Sequence, residues 1–335
     1  MVLEIVNLLF LIRRARLKFG GFAYSPRLEY KIELGLSNRD ISGASPFTSN
    51  APRYVLDAVV KWNFYENFEL WVGQTKLPGN RERVISSGSL ETVDRSLVNS
   101  RFNIDRDLGL QLHHETFFGG DFIMREAISV AQGEGRNVTA GNLGGYQYTA
   151  RLEFLPFGDF ADYAGADFAR EEEPKLAVGV TYDYNDDAVK TRSNMGSYMI
   201  TEDGFFHTDI TTFFLDAIFK YEGISAMAEY AHRDADEILA MNPDNSLTGA
   251  AVNAGSGLNV QAGYLFPTNI QVLGRYTTID LDDTVTQAVE NQYTLGLSKY
   301  ISKHNLKVQA DLSYLDMNLG LDDDLMFRMQ LELQL

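Results

Sequence analysis

The chain has 335 residues, of which 45% are hydrophobic and 12% aromatic, with 28 Gly, 8 Pro and no Cys. Its net charge of −17 and isoelectric point near 4.7 repel a phosphate backbone and exclude nucleic acid as a partner. A mean hydropathy of −0.18 excludes a helical membrane protein, and without cysteine there is no disulfide, thiolate metal site or cysteine nucleophile.

The first sixteen residues, MVLEIVNLLFLIRRAR, hold an apolar stretch broken by Glu4 and Asn7. Its arginines follow the apolar part, whereas an export signal has its positive charge in front, and the stretch is too short to span a membrane as a helix. From there the chain alternates. Over 10–24, Ala15, Leu17 and Phe19 fall on one face and Arg14, Arg16 and Lys18 on the other. After Ser25-Pro26 the pattern restarts with Leu28, Tyr30, Ile32 and Leu34 against Glu29, Lys31 and Glu33. Period-two alternation of this kind predicts strands. Further strands are predicted at 27–37, 53–64, 68–76, 107–115, 122–132, 146–155 and 175–185. Beyond them come 212–221, 224–233, 257–266, 270–279, 291–300, 306–315 and 325–335. The 122–132 segment has the weakest pattern, because Glu126 shares the face of Met124 and Ile128.

The connections alternate as well. Short turns sit at 25–26, 65–67, 222–223, 267–269 and 301–305, and long polar loops at 38–52, 77–106, 133–145, 186–211, 234–256, 280–290 and 316–324. The connection 156–174 is long where a short turn is due. This predicts an all-β, antiparallel up-and-down barrel of one domain over 1–335, with a quiet end and an elaborated end. Some fifteen strands enclose a lumen too wide for their apolar side chains to fill, so the apolar face must meet lipid and the charged face must line water. Phe22, Phe64, Phe68, Phe219 and Phe266 beside short turns, and Tyr148, Tyr182, Tyr230, Tyr276 and Tyr314 beside long loops, form two interfacial belts.

The loop 77–106 is the longest insertion. Leu90, Val93, Leu97 and Val98 predict a short amphipathic helix over 89–102. Its arginines Arg81, Arg83, Arg95, Arg101 and Arg106 are candidate constriction residues if the loop folds inward, with a salt-bridged external cap as the alternative. Arg14, Arg16 and Lys18 are candidate pore-lining residues, stacked about 7 Å apart by the strand rise. Cross-strand charge pairing is the competing reading of that ladder. The acid bunches at 183–187, 234–237, 280–283 and 322–324 read as solvated loops, or as sites for cation bridging to lipopolysaccharide. The histidines (113, 114, 207, 232 and 304) follow no ligand spacing, and no metal or cofactor is predicted. No GxSxG, HExxH, P-loop or dinucleotide fingerprint is present. His113 and His232 are the least implausible bases, but no serine stands near either, so no enzyme is predicted.

At IRRARLKFGGFAYSPRLEYKIELGLS, WVGQTKLPGNRERVISSG, FIMREAISVAQGEGRN and LEFLPFGDF the chain resembles the phosphate-selective porin O and P family of Gram-negative outer membranes. The resemblance implies a sixteen-stranded, usually homotrimeric barrel with an inward-folded third loop and a basic pathway for anions. By position, Gln74 to Arg106 matches the constriction region, and Arg14, Arg16 and Lys18 match a basic strand early in the barrel. Even strand numbers place both termini at the short-turn end. The 10–24 strand runs towards a short turn, so the expectation is that the first strand and export signal are missing from this chain. The functional expectation is an outer-membrane porin surrounded by lipid and lipopolysaccharide. It would pass small ions and polar solutes, with anions such as phosphate among the candidates. A binding or adhesion barrel with a plugged lumen is the alternative.

Overall fold

A computed structural model describes residues 9–38, 40–41, 53–139, 141–318 and 323–334. Most of the apolar N-terminal segment and parts of the loops 38–52 and 316–324 lie outside the described residues. The wall begins with β1 (Arg16–Phe22), β2 (Leu28–Gly35), β3 (Val55–Tyr65) and β4 (Phe68–Lys76). After the long loop come β5 (Arg106–Phe117), β6 (Ile123–Ala131), β7 (Gln147–Leu155) and β8 (Lys175–Ala188). A hairpin of β9 (Lys190–Arg192) and β10 (Met195–Tyr198) stands apart, followed by β11 (Thr208–Tyr221) and β12 (Ile224–Ala235). A second hairpin, β13 (Leu239–Met241) and β14 (Leu247–Ala251), precedes β15 (Gly255–Leu265) and β16 (Ile270–Leu281). The wall ends with β17 (Val289–Ser302), β18 (Leu306–Met317) and β19 (Asp324–Leu333).

Apart from the two hairpins, the fifteen strands form one antiparallel sheet in which every neighbour in sequence is a neighbour in space. All fifteen fall where the alternation predicts them. The hairpins β9–β10 and β13–β14 were not foreseen; they are three to five residues long and carry no readable alternation. β1 also starts later than expected. The ladder with β2 reaches back only as far as the Ala15 carbonyl, which accepts from Leu36 N–H, so Arg14 precedes the strand.

The two faces differ as alternation requires. On β19, Leu325, Phe327, Met329, Leu331 and Leu333 are exposed, while Arg328 between them bonds inward to Asp311 on β18. An apolar band on the outside of a large sheet is stable only against lipid. The tight turn from β11 to β12 uses Glu222 (φ 45°) and Gly223 (φ 87°), both left-handed, which matches the twist of the flanking strands.

The sheet wraps around the loop between β4 and β5. Asn80 bonds Glu229 on β12, Arg101 bonds Glu290 on β17, the Leu90 carbonyl accepts from Lys307 on β18, and Ser87 accepts from Arg16 on β1. Asp94 meets Arg13 and Arg14 before β1 and also Arg328 on β19, so one carboxylate ties the two ends of the strand order. Among the described residues no ladder pairs β1 with β19.

The helix expected over 89–102 is reduced to α2 (Leu97–Phe102), preceded in the same loop by α1 (Arg81–Val84) and a 3₁₀ turn at Ser87–Ser89. Ser96 caps α2 by accepting from Asn99 N–H at 3.3 Å. Residues 90–96 stay non-helical, with bends at 91–94, which lets their side chains part: Leu90 packs with Ile85 and Met227, and Glu91 reaches Gln261. α2 packs Val98 and Phe102 against Phe214, Ala231 and Ile279 on the inner wall. The approach needs Gly257, where a Cβ would stand 2.9 Å from the Phe102 ring.

Candidate functional site

A cavity of about 720 Å³ remains between this loop and the wall formed by β1 to β6. Strand alternation aims Lys18, Lys31, Lys61, Trp71 and Arg106 into it, and residues 75–78 and 84–87 form its loop side. Lys61 lies over the Trp71 ring, 3.6 Å from its centroid, and His113 stacks on the same ring at 4.0 Å. Lys31 bonds Asp57 at 2.6 Å and Arg106 bonds Asp57 at 2.9 Å, so those cations are neutralised. Among the described residues, neither Lys18 nor Lys61 has a carboxylate within ion-pair distance. A solute in this cavity therefore meets Lys18 and Lys61, neither held in an ion pair among the described residues, although Glu69 lines the same cavity and its charge acts on Lys61.

The loop arginines have different surroundings. Arg81 is fully buried and bonds Asp216 at 2.7 Å, Glu153 at 2.7 Å and Asp162 at 2.9 Å. Burial works against its charge, but Asp216 and Glu153 outweigh it and hold the proton more firmly than usual. Arg83 is paired with Asp105. Burial opposes that carboxylate too, yet Arg83 and Arg106 hold it well below the ordinary range. Arg95 donates to the carbonyls of Glu82 and Ile85, at 2.7 Å each, and so fastens the loop to itself. Arg101 grips Glu290 with a two-pronged contact at 2.7 and 2.8 Å. Of the early basic residues, Arg14 pairs with Asp94 and Arg16 with Asp40 and Glu33, while Lys18 stays exposed. The eight candidates thus divide into seven that hold backbone or carboxylate partners and Lys18.

Three features lay beyond the residues singled out from the sequence. Lys61 and Trp71 both line the cavity, on adjacent strands where they are directly paired. Arg125 on β6 joins Glu115, Asp159 and Asp162, at 3.1, 2.6 and 3.0 Å. The third is the buried polar network itself: Asp183, which fell both in the predicted strand 175–185 and in the acid run read as a solvated loop, sits inside β8 and accepts from Gln147 and Thr149. β8 runs on to Ala188, so the acid run at 183–187 belongs to a strand.

The connection 156–174 also turns inward. The Tyr163 hydroxyl donates to Glu153 at 2.7 Å, and burial together with that carboxylate pushes its pKa above the usual phenol range. Phe168 meets the Tyr300 and His304 rings edge-on, each at 4.9 Å between centroids. Burial, with Lys307 and Lys220 nearby, pushes the His304 imidazole down to about 3, so this ring is neutral.

Comparison with known proteins agrees with this architecture. A family model described as phosphate-selective porin O and P matches residues 6–319. An uncharacterized protein of Aquifex aeolicus (strain VF5) is 25% identical over 340 residues, covering 92% of this chain and 76% of that protein. The anion-selective porin from Comamonas acidovorans superimposes with a TM-score of 0.51 at 13% identity, over 91% of this chain and 79% of that one. The outer membrane channel DcaP of Acinetobacter baumannii does so with a TM-score of 0.50 at 14% identity, over 95% and 83%. These two share the fold. An apolar exterior, a charged interior holding a cavity and a matching family model converge: the chain belongs to the phosphate-selective porin O and P family and is an outer-membrane porin, a channel for small solutes.

Proposed function

We propose that the passage along β1 to β6 favours small anions, phosphate among them, over cations. The observation that carries this reading is the contrast between Lys18 and Lys61, which lack ion-pair partners among the described residues, and the loop arginines, which are held by carboxylates or, for Arg95, by two backbone carbonyls. Arg14, Arg16, Arg81, Arg83, Arg95, Arg101 and Arg106 then shape the constriction, and Lys18 with Lys61 supplies the field that a permeating ion feels. The loop 77–106 acts as the inward-folded constriction. A unit charge 4 Å away is worth about 1 kcal/mol in water, or roughly fivefold in local ion concentration. Reversal potentials across a salt gradient in planar bilayers test this. A Lys18→Glu/Lys61→Glu variant is expected to move the anion-to-cation permeability ratio towards cations by roughly fivefold. An unchanged ratio would remove the reading.

Homotrimeric assembly in lipid and lipopolysaccharide is part of the same proposal. It is supported by the family resemblance and by the His114–Glu126 pair, at 3.2 Å, which with Thr116 falls by alternation on the strand face of Leu110, Leu112 and Ile128. Charged groups are costly against hydrocarbon and cheaper against a neighbouring protomer. Cross-linking in native membranes is expected to give trimers that weaken in a His114→Leu/Glu126→Leu variant; monomers alone would oppose the assembly. The family and fold point to a channel and not to an enzyme.

A further inference from the structure

The connection between β7 and β8 is nineteen residues long, 156–174, at the end of the barrel where the other described connections are short turns. It does not hang outside. Its residues bond to the inner wall in three places: Asp162 to Arg125 on β6, Tyr163 to Glu153 on β7, and the Ala161 and Ala166 carbonyls to Lys220 on β11. Phe160 packs into an apolar patch of Ile123, Leu155, Ala177 and Ile218 on that wall.

It also meets the loop 77–105 inside the barrel. Gly165 N–H donates to the Ser89 carbonyl at 2.9 Å, and Arg81 reaches Asp162 at 2.9 Å. The two backbones approach so closely that a Cβ on Gly165 would stand 2.4 Å from Glu91 Cγ. Two segments entering from opposite ends therefore touch in the lumen. The passage left over is the one beside β1 to β6, and Asp162 and Tyr163 form part of its lining. The segment is acidic: Asp159, Asp162, Asp167 and Glu171–Glu173 stand against one cation, Arg170.

We propose that 156–174 is a second constriction element, which sets the pore's cross-section from the short-turn end and places negative charge at that mouth. The loop from the far end narrows the lumen by filling the β7-to-β18 side. The short-end segment closes the space beneath it, and Arg125, holding both Asp159 and Asp162, forms the border with the open passage. The two elements act in opposite electrostatic directions: Lys18 and Lys61 attract anions within, and the acidic segment repels them at the exit. This rests on the channel reading, which the unmodified protein tests by itself.

Single-channel recording separates the possibilities. Steady openings of the unmodified chain establish the channel; silence would remove that reading, not only this one. In a variant with residues 157–173 replaced by Asn-Gly, a pair suited to a two-residue hairpin turn, conductance is expected to rise about twofold or more, with a shift towards anions. Unchanged conductance and selectivity overturn the proposal. Removing Phe160 exposes an apolar patch and the deletion can fail to fold, so a second variant supplies an independent readout. Asp159→Cys introduces the sole thiol in a chain without cysteine, at the position that bonds Arg125 at 2.6 Å. A bulky thiosulfonate reagent added from the short-turn side is expected to cut its conductance by about a third or more. An unaffected current places the segment outside the conducting path and overturns the proposal.

Discussion

An Arg81→Ala variant is expected to lose about 3–5 kcal/mol of stability, the usual cost of leaving a buried charge uncompensated. Arg81, Arg151 and Arg125 together balance Glu153, Asp216 and Asp162. Each carboxylate retains at least one arginine after the substitution, but three acids then share two cations in a site where Arg81 itself is fully buried. Arg81→Lys should recover little, because the three donors of an ammonium diverge from one nitrogen and do not reproduce the planar fork whose separate nitrogens reach Asp216, Glu153 and Asp162. An Arg81→Ala/Asp216→Asn variant should recover part of the loss, and the double-mutant cycle gives the coupling directly. Denaturant titration of the barrel in lipid vesicles measures the parent, these three variants and Asp216→Asn alone, which completes the cycle. The same variants should show noisier open-channel current, since Arg81 fixes the loop tip to β7 and β11. A loss below about 1 kcal/mol would show that the network is solvated, and its claimed role would fall.

Phe102→Ala is expected to cost a similar amount, about 3–5 kcal/mol, for a different reason. The ring is fully buried against Val98, Phe214 and Ile279, and its removal leaves a void that a six-residue helix held on both sides cannot close. Phe102→Leu keeps much of the volume and should cost less. The pair thus separates packing from chemistry, since neither change touches a charge. The Phe102 carbonyl also accepts from Arg233 at 2.6 Å, so a loosened α2 should disturb that bond and raise current fluctuations. Equal stability of the alanine and parent proteins would mean that α2 does not pack as described.

These two sites show where sequence reading ends. Arg81 stands 135 positions from Asp216 and 72 from Glu153, and nothing near residue 81 announces either partner. The amphipathic pattern of 89–102 was visible, but helical periodicity could not say that Leu90 and Val98 would pack in separate clusters, with a bent, non-helical stretch between them. The excessive length of 156–174 was also visible. Its direction was not, because Phe160, Asp162 and Tyr163 read equally well as an exposed loop.

What the sequence by itself determined is the wall. Each strand faces lipid on one side and water or polar protein on the other, so every second residue must change character, and that constraint is written locally over a handful of positions. RLKFGGF already carries it: Leu17 and Phe19 look outward, Arg16 and Lys18 inward. The tertiary structure alone decided the interior. Which cations are cancelled and which face the passage depends on carboxylates brought round by the curvature of the sheet. Arg16 finds Asp40 and Glu33, Arg106 finds Asp57, and Lys18, one residue pair further along the same strand as Arg16, meets open space. Charge is a property of the residue, but a pore's field belongs to what is left after the pairs have formed.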